Sequence, residues 1–287
     1  MSSDATHPET PDTASDPTPG LSEAIAARRG DLDGTIWHSV EVVASTGSTN
    51  ADLAARADES RIVGTVRITS DQTAGRGRRS RTWSAPPGAQ LAISAVLPVG
   101  GNVETLGWLS LATGVATASA IERHSSEQRS AVAPTLKWPN DVLVGERKIA
   151  GILAEYVAST NGGIVIVGTG INTNLGVDEL PVPTATSLGI ETGTELDAEA
   201  LAGLAIDYLR ALSEQGWPSR LDDIASGYRQ RCDTLGRQVR LVLPGDTEIV
   251  GRAIDIDAAG RIIIEQEGGE RYTAAAGDVV HLRSASD

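Results

Sequence analysis

The chain has 287 residues, 40% of them apolar, and a formal net charge of −14. At about 150 residues per domain this is one substantial domain and something smaller. A surface this acidic argues against general nucleic-acid binding, which sets cations against phosphate. No apolar run approaches the ~20 residues that cross a membrane. The N-terminal residues lack the basic-then-apolar pattern of a secretory signal. The lone cysteine, Cys232, cannot form an internal disulfide and reads as a small buried hydrophobe. A cytoplasmic protein is expected.

Residues 1–20 are rich in Ser, Thr, Pro and Asp and carry no Lys or Arg. Such a segment cannot bury enough surface to offset chain entropy and is predicted to be a disordered acidic tail. A short helix is predicted over 21–29. A strand over 40–43 leads into a polar turn over 45–50, then a helix over 51–58 with Ser48 or Thr49 as its N-cap. A buried strand is predicted over 63–69, a Gly- and Arg-rich loop over 74–81, a strand over 91–97 and a long helix over 103–124. The segments 135–138, 142–144, 148–157 and 164–168 read as an antiparallel meander with turn-rich connections. Amphipathic helices are predicted over 197–213 and 221–231. After Leu235, short alternating strands with turns about every ten residues predict a small β-barrel.

The strongest local signal is Gly75-Arg76-Gly77-Arg78-Arg79-Ser80-Arg81, followed by Trp83 and Pro86-Pro87-Gly88. It could be a nucleic-acid patch, a solvated loop or an anion-binding loop. In the last case the glycines let backbone approach a phosphate or carboxylate, and the arginines donate charge-assisted hydrogen bonds. So many like charges predict a loop that is disordered until an anion neutralises it. The spacing fits neither the P-loop nor the dinucleotide fingerprint. Three further segments are each ordinary alone: Lys137-Trp138-Pro139-Asn140-Asp141, Lys148-Ile149-Ala150-Gly151-Ile152-Leu153-Ala154-Glu155, and the glycine-rich strand exit Gly168-Thr169-Gly170-Ile171-Asn172-Thr173-Asn174. Of 24 basic residues only two are lysines, Lys137 and Lys148. Either composition bias put them there, or these positions need a compact point charge rather than a planar fork. The four histidines have no metal-ligand spacing.

Taken together and in this order, the segments from about Ser45 to Asn174 resemble the catalytic core of biotin–protein ligases. The small C-terminal unit fits the same family. The resemblance implies an α+β fold: a mixed, mostly antiparallel sheet flanked by helices, like a class II aminoacyl-tRNA synthetase catalytic domain, plus a C-terminal SH3-like β-barrel. The domains would span residues 36–232 and 235–284. It implies a ligase that makes biotinyl-5′-AMP from biotin and ATP with Mg²⁺, then biotinylates a lysine of the biotin carboxyl carrier domain of an acyl-CoA carboxylase. Biotin contacts would come from Ser48, Thr49, Asn50, Gln72, Gly75, Arg76, Gly77, Arg78, Lys148, Gly151 and Ile152. ATP contacts would come from Arg78, Arg79, Trp83, Lys137, Asn140, Lys148 and Asn172. Asp141 would be a Mg²⁺ ligand, and Lys148 and Arg78 the catalytic charges. Where the family has a Gly between the last two arginines of the loop, this chain has Ser80, which lacks easy access to positive φ.

A lipoate–protein ligase would share the fold and the adenylation chemistry; Trp83 and the Lys-Trp-Pro-Asn-Asp segment favour biotin. Some family members add an N-terminal helix-turn-helix and act as repressors. Here the catalytic pattern begins near residue 37 after an acidic segment, so a ligase without DNA binding is expected, free of membranes, as a monomer or weak dimer.

Overall fold

The computed structural model describes residues 16–100, 103–127, 130–160, 162–243, 245 and 247–282. The N-terminal half runs α1 (Leu21–Ala27), β1 (Ser39–Val42), α2 (Thr49–Ala54), β2 (Thr65–Thr69), β3 (Gly75–Arg76), β4 (Thr82–Trp83), β5 (Gln90–Leu97) and α3 (Leu109–Glu127). The meander β6 (Pro134–Lys137), β7 (Asp141–Val144), β8 (Arg147–Val157) and β9 (Ile164–Asn172) follows, then α4 (Leu188–Thr192), α5 (Ala198–Glu214) and α6 (Leu221–Arg231). The chain closes with β10 (Gln238–Val242), β11 (Glu248–Ile256), β12 (Ile262–Glu265), β13 (Arg271–Ala274) and β14 (Asp278–His281).

Seven strands form one sheet in the order β1-β2-β5-β9-β8-β7-β6. Only β1 and β2 run parallel; every other neighbour pair is antiparallel. The mixed, mostly antiparallel α+β class follows. All eight residues of β5 are buried, because both faces of the sheet are covered. Leu91, Ile93, Ala95 and Leu97 point into the main core with α1, α3, α5 and α6. Val96 points the other way, into a smaller cluster with Leu53 and Ala57 from the α2 side and Ile164 and Ile166 of β9. Period-2 side-chain alternation thus builds two apolar layers from one strand.

The C-terminal strands pair in the order β13-β12-β11-β10-β14, all antiparallel. The edge strands β13 and β14 do not join, so among the described residues this is an open sheet rather than the closed barrel that the alternation predicts. Its apolar side chains, including Val239, Leu241, Ile262 and Val279, belong to the same core as the large domain. Trp108 Nε1 donates to Ala258 O at 3.0 Å and Trp138 Nε1 to Gly260 O at 3.1 Å, while the Trp138 N–H donates to Thr234 Oγ1 at 3.1 Å. Buried apolar surface and satisfied indole donors therefore fix the sheet against the large domain.

Several predictions shift. Residues 1–15 of the predicted tail lie outside the described residues, but within it Thr18 is buried and donates to Ser70 Oγ at 2.9 Å. The helix predicted from 103 begins as a 3-10 turn, Val103–Trp108. A side chain at Gly107 would strike the Ala259 backbone, so docking of the C-terminal sheet shapes this turn. The glycine-rich exit predicted after 168 is instead the last part of β9, which runs to Asn172. Cys232 is buried, and burial pushes its thiol up, as suits a small hydrophobe. No helix among the described residues is long and apolar enough to cross a membrane.

Candidate active site

Part of one face of the large sheet carries few large side chains. Asp141, Gly151, Gly170 and Ala92 stand in one row across β7, β8, β9 and β5, and all four line a cleft. Leu153 and Gly168 form the next row beside it. The glycines are there because other chain segments lie where a Cβ would be. A Cβ on Gly170 would stand 2.5 Å from Trp83 Cε2, and one on Gly151 2.9 Å from Trp83 Cζ3. The Trp83 indole lies on this floor and donates Nε1–H to Gln90 Oε1 at 2.8 Å. A Cβ on Gly168 would collide with Asn50 Oδ1.

At one end of the cleft, Ser48 caps α2; its Oγ accepts the Ala51 N–H at 3.4 Å. That cap places Thr49 and Asn50 in the first turn, both buried. Gln72 Oε1 accepts from the Thr49 N–H at 3.0 Å and from its hydroxyl at 3.1 Å. Ser94 Oγ lies 2.7 Å from Thr49 Oγ1 and 2.5 Å from Asn50 Oδ1, and its single proton serves one of them at a time. Asn50 Nδ2 donates to Leu153 O at 3.2 Å and to Glu155 Oε2 at 2.6 Å. The Asn50 amide is therefore held within the protein on both sides, and it shapes the pocket wall. This end is a polar pocket of fixed donors and acceptors.

The other end carries the charges. Lys148, the second residue of β8, is anchored by its backbone: its N–H donates to Thr184 O at 2.7 Å, and its carbonyl accepts the Thr186 N–H at 2.9 Å. Its Nζ lies 2.6 Å from Asp141 Oδ1 and 5.5 Å from the Trp83 ring centroid. Arg78 Nη1 reaches Asn140 Oδ1 at 3.5 Å, and Asn140 Nδ2 is tied to Ile152 O at 2.9 Å. Burial pulls the Arg78 guanidinium below its ordinary value, while the Asp278 and Asp141 carboxylates push it back up. A cation held half-desolvated between carboxylates is poised to receive an anion.

The arginine loop, expected to be disordered, forms a short flap. Gly75 pairs with Trp83 and Arg76 with Thr82, and Arg78–Ser80 make a 3-10 turn. Part of its charge is balanced by a residue the sequence did not place nearby: Asp278 takes Arg79 at 2.8 Å and also Arg81.

Ser48, Thr49, Asn50, Gln72, Arg76, Gly77, Arg78, Trp83, Lys137, Asn140, Asp141, Lys148, Gly151 and Ile152 all line this one cleft. Three expected residues do not. Gly75 sits behind it in the flap hairpin, where a Cβ would be 2.5 Å from Trp83 O. Arg79 turns outward to Asp278 and Val242 O. Asn172 is buried and donates to Thr186 O at 2.9 Å, bracing the segment that anchors Lys148. Residues that line the cleft without having been singled out include Ala92, Leu153, Gly168, Gly170, Asp278 and Val279. Alternation along β8 and β9 would have found Leu153, Gly168 and Gly170. Nothing local marks Asp278.

The family model for the biotin/lipoate A/B protein ligase family matches residues 42–172, and that for the biotin protein ligase C terminal domain matches residues 234–282. The chain is similar to the biotin–[acetyl-CoA-carboxylase] ligase of Mycobacterium tuberculosis, with 42% identity over 256 residues, 87% of this chain and 91% of that protein. It is similar to the bifunctional ligase/repressor BirA of Escherichia coli, with 34% identity over 241 residues, 83% of this chain and 72% of that protein. Among solved structures it resembles the biotin protein ligase from Aquifex aeolicus in complex with biotin and ATP, with TM-score 0.67 and 25% identity, covering 86% of this chain and 100% of that one. This chain belongs to the biotin–protein ligase family.

Proposed function

We propose that this chain is an ATP-dependent ligase that forms biotinyl-5′-AMP and passes the biotinyl group to a lysine of an acetyl-CoA carboxylase biotin carboxyl carrier domain. One observation carries the reading. A polar pocket built by Thr49 and Gln72 opens into the same cleft as two convergent cations, Lys148 and Arg78. That pairing suits a ligand with a ureido ring at one end and a carboxylate at the other, meeting a phosphate.

The roles follow from chemistry. A ureido ring offers one acceptor and two N–H donors, which the Ser48–Asn50 turn and Gln72 can match. Gly151, Ile152 and the flap backbone from Gly75 to Arg78 would wall in the biotin. Trp83, Lys137 and Asn140 would serve the nucleotide side, with Asn172 acting only through the segment it braces and Arg79 drawn in only if the flap turns. The biotin carboxylate oxygen attacks the α-phosphorus, and the bond from that phosphorus to the pyrophosphate oxygen breaks. Two anions approach each other, so Lys148 would exchange Asp141 for the carboxylate and α-phosphate while Arg78 covers the developing charge. A carrier amine then attacks the anhydride carbonyl, AMP leaves with the C–O electrons, and the amine gives its proton to solvent. Positioning and fixed charge supply the rate, with no enzyme nucleophile.

Asp141 and Asn140 supply hard oxygen ligands at the charged end, which fits Mg²⁺ arriving with ATP, since that ion favours one or two protein oxygens plus substrate phosphates. It would neutralise the leaving pyrophosphate. Among the described residues no group of three His, Cys, Asp or Glu side chains could hold a metal alone, in keeping with a metal brought by the nucleotide. The core over 36–232 is read as a class II synthetase-like domain, and the unit over 235–284 as an SH3-like fold left open at one seam. A monomer or weak dimer suits the reading.

The test is incubation with ATP, Mg²⁺ and a carrier domain, with either biotin or lipoate, read by the mass of the carrier. A biotinyl adduct is expected. A lipoyl adduct alone, or none, overturns the proposal.

A further inference from the structure

The cleft borrows two residues from the C-terminal sheet, Asp278 and Val279. Asp278 opens β14 directly opposite Val242 of β10. Its carboxylate accepts from Arg79 Nη1 at 2.8 Å and from Arg81 Nη2, and Arg79 Nη1 also lies 3.5 Å from Val242 O. The two arginines flank Ser80 at the tip of the flap. Among the described residues, Arg79 and Ser80 are the two non-glycine residues with positive φ, 55° and 60°. Side chains enter that left-handed region only when their surroundings hold them there, and the C-terminal sheet supplies the hold.

We propose that Asp278 is a positioning residue that latches the arginine flap onto the C-terminal sheet, so that Arg78 faces inward and the bound acyl-adenylate is kept from water. The inference rests on the ligase reading for its substrate and on the flap's own contacts for its geometry. A mere stand-in for substrate phosphate would pair with cleft-facing cations alone. Asp278 also holds Arg79, which points out of the cleft, and the Val242 carbonyl opposite shares that guanidinium. With Arg79 fixed outside, the turn Arg78–Ser80 sends Arg78 the other way, to Asn140. The latch gives the C-terminal sheet a task in catalysis. It closes the flap without contributing a reacting group.

The experiment uses the full chain and the variants D278N, R79Q and D278N/R79Q. Radiolabelled biotinyl-AMP is formed on the enzyme without carrier, and its escape into excess unlabelled biotin and ATP is timed. In parallel, trypsin nicking after Arg76, Arg78 and Arg81, the flap sites that every variant keeps, is followed on the ligand-free proteins. Both single variants are expected to release adenylate at least about tenfold faster and to be nicked faster. Their melting temperatures should stay close to the parent, because the ion pairs are partly exposed. The double variant should be no worse than D278N alone, since D278N already removes every contact Arg79 makes to that carboxylate. R79Q alters only the flap and keeps the test open if D278N folds poorly. Unchanged escape and nicking overturn the latch. So does a lower ATP KM in D278N without faster escape, which would make Asp278 a competitor for phosphate. If the parent itself makes no adenylate, the ligase reading fails instead, and the nicking alone decides the latch.

Discussion

Replacing Lys148 with Ala removes the ammonium that the mechanism sets between two anions. Its Nζ sits 2.6 Å from Asp141 Oδ1, and its side chain is 33% exposed. Two unit charges about 4 Å apart interact by about 4 kcal/mol at an effective dielectric near 20. Removing one donor from an anionic transition state costs about 3 kcal/mol where such losses have been measured. At 1.36 kcal/mol per decade, that is on the order of 100-fold in the adenylation rate. K148A should therefore lose at least about 100-fold. Stability should barely move, because a part-exposed ion pair is worth no more than about 1 kcal/mol. Formation of radiolabelled biotinyl-AMP under single-turnover conditions, with a thermal melt beside it, reads both quantities. Adenylation in K148A within about threefold of the parent would show that Lys148 is not at the reacting anions and would refute the reasoning.

Gly168→Ala should push Asn50 out of its bonds to Ser94 and Glu155, raising the biotin Kd by roughly 10-fold or more through a loss of about 1–3 kcal/mol; calorimetry with biotin, and with ATP as the unaffected arm, checks it. Ser80→Gly removes a left-handed strain at φ 60° and should stabilise the closed flap by up to about 1 kcal/mol, seen as slower tryptic nicking. His124 and His281 are both held below the ordinary histidine value, chiefly by burial, with Lys137 and Arg237 adding to the effect at His281. The unfolded chain then binds more protons than the folded one, so their contribution is intact above pH ~6.5 and is lost as the pH falls through that value towards their lowered folded values. Urea unfolding at pH 7.5 and 5.5 should show the drop, and His124→Gln should flatten it; an unchanged slope refutes the assignment.

Elements whose pattern is local were legible in the sequence. The helix α6 is read to the residue from its amphipathic spacing over 221–231, and the meander differs from expectation only at strand ends, apart from β9. Where the structure departs, the cause comes from distant residues. The glycines of β9 look like a strand exit because glycine weakens a strand. In fact they are strand interior, emptied of side chains so that Trp83 and Asn50 can lie against the sheet. The flap looks too charged to order, because no local residue balances it. Asp278, nearly two hundred positions away, pairs with two of its arginines. Adjacent arginines in one loop cannot be told apart by composition either: Arg78 faces in and Arg79 out because a turn separates them. That four separated segments serve one site was legible only through their resemblance, as a set, to one family. The partners of each side chain within it were not.

Both lysines of the chain, Lys137 and Lys148, line the cleft. An acyl-adenylate is an acylating reagent towards any free amine, including those of the protein that makes it. Everywhere else the side-chain cations of this chain are guanidinium groups, which stay protonated near neutral pH and make poor nucleophiles. Reagent that slips past the flap thus meets an outer surface without side-chain amines, and self-labelling of lysine is confined to two sites that line the cleft itself.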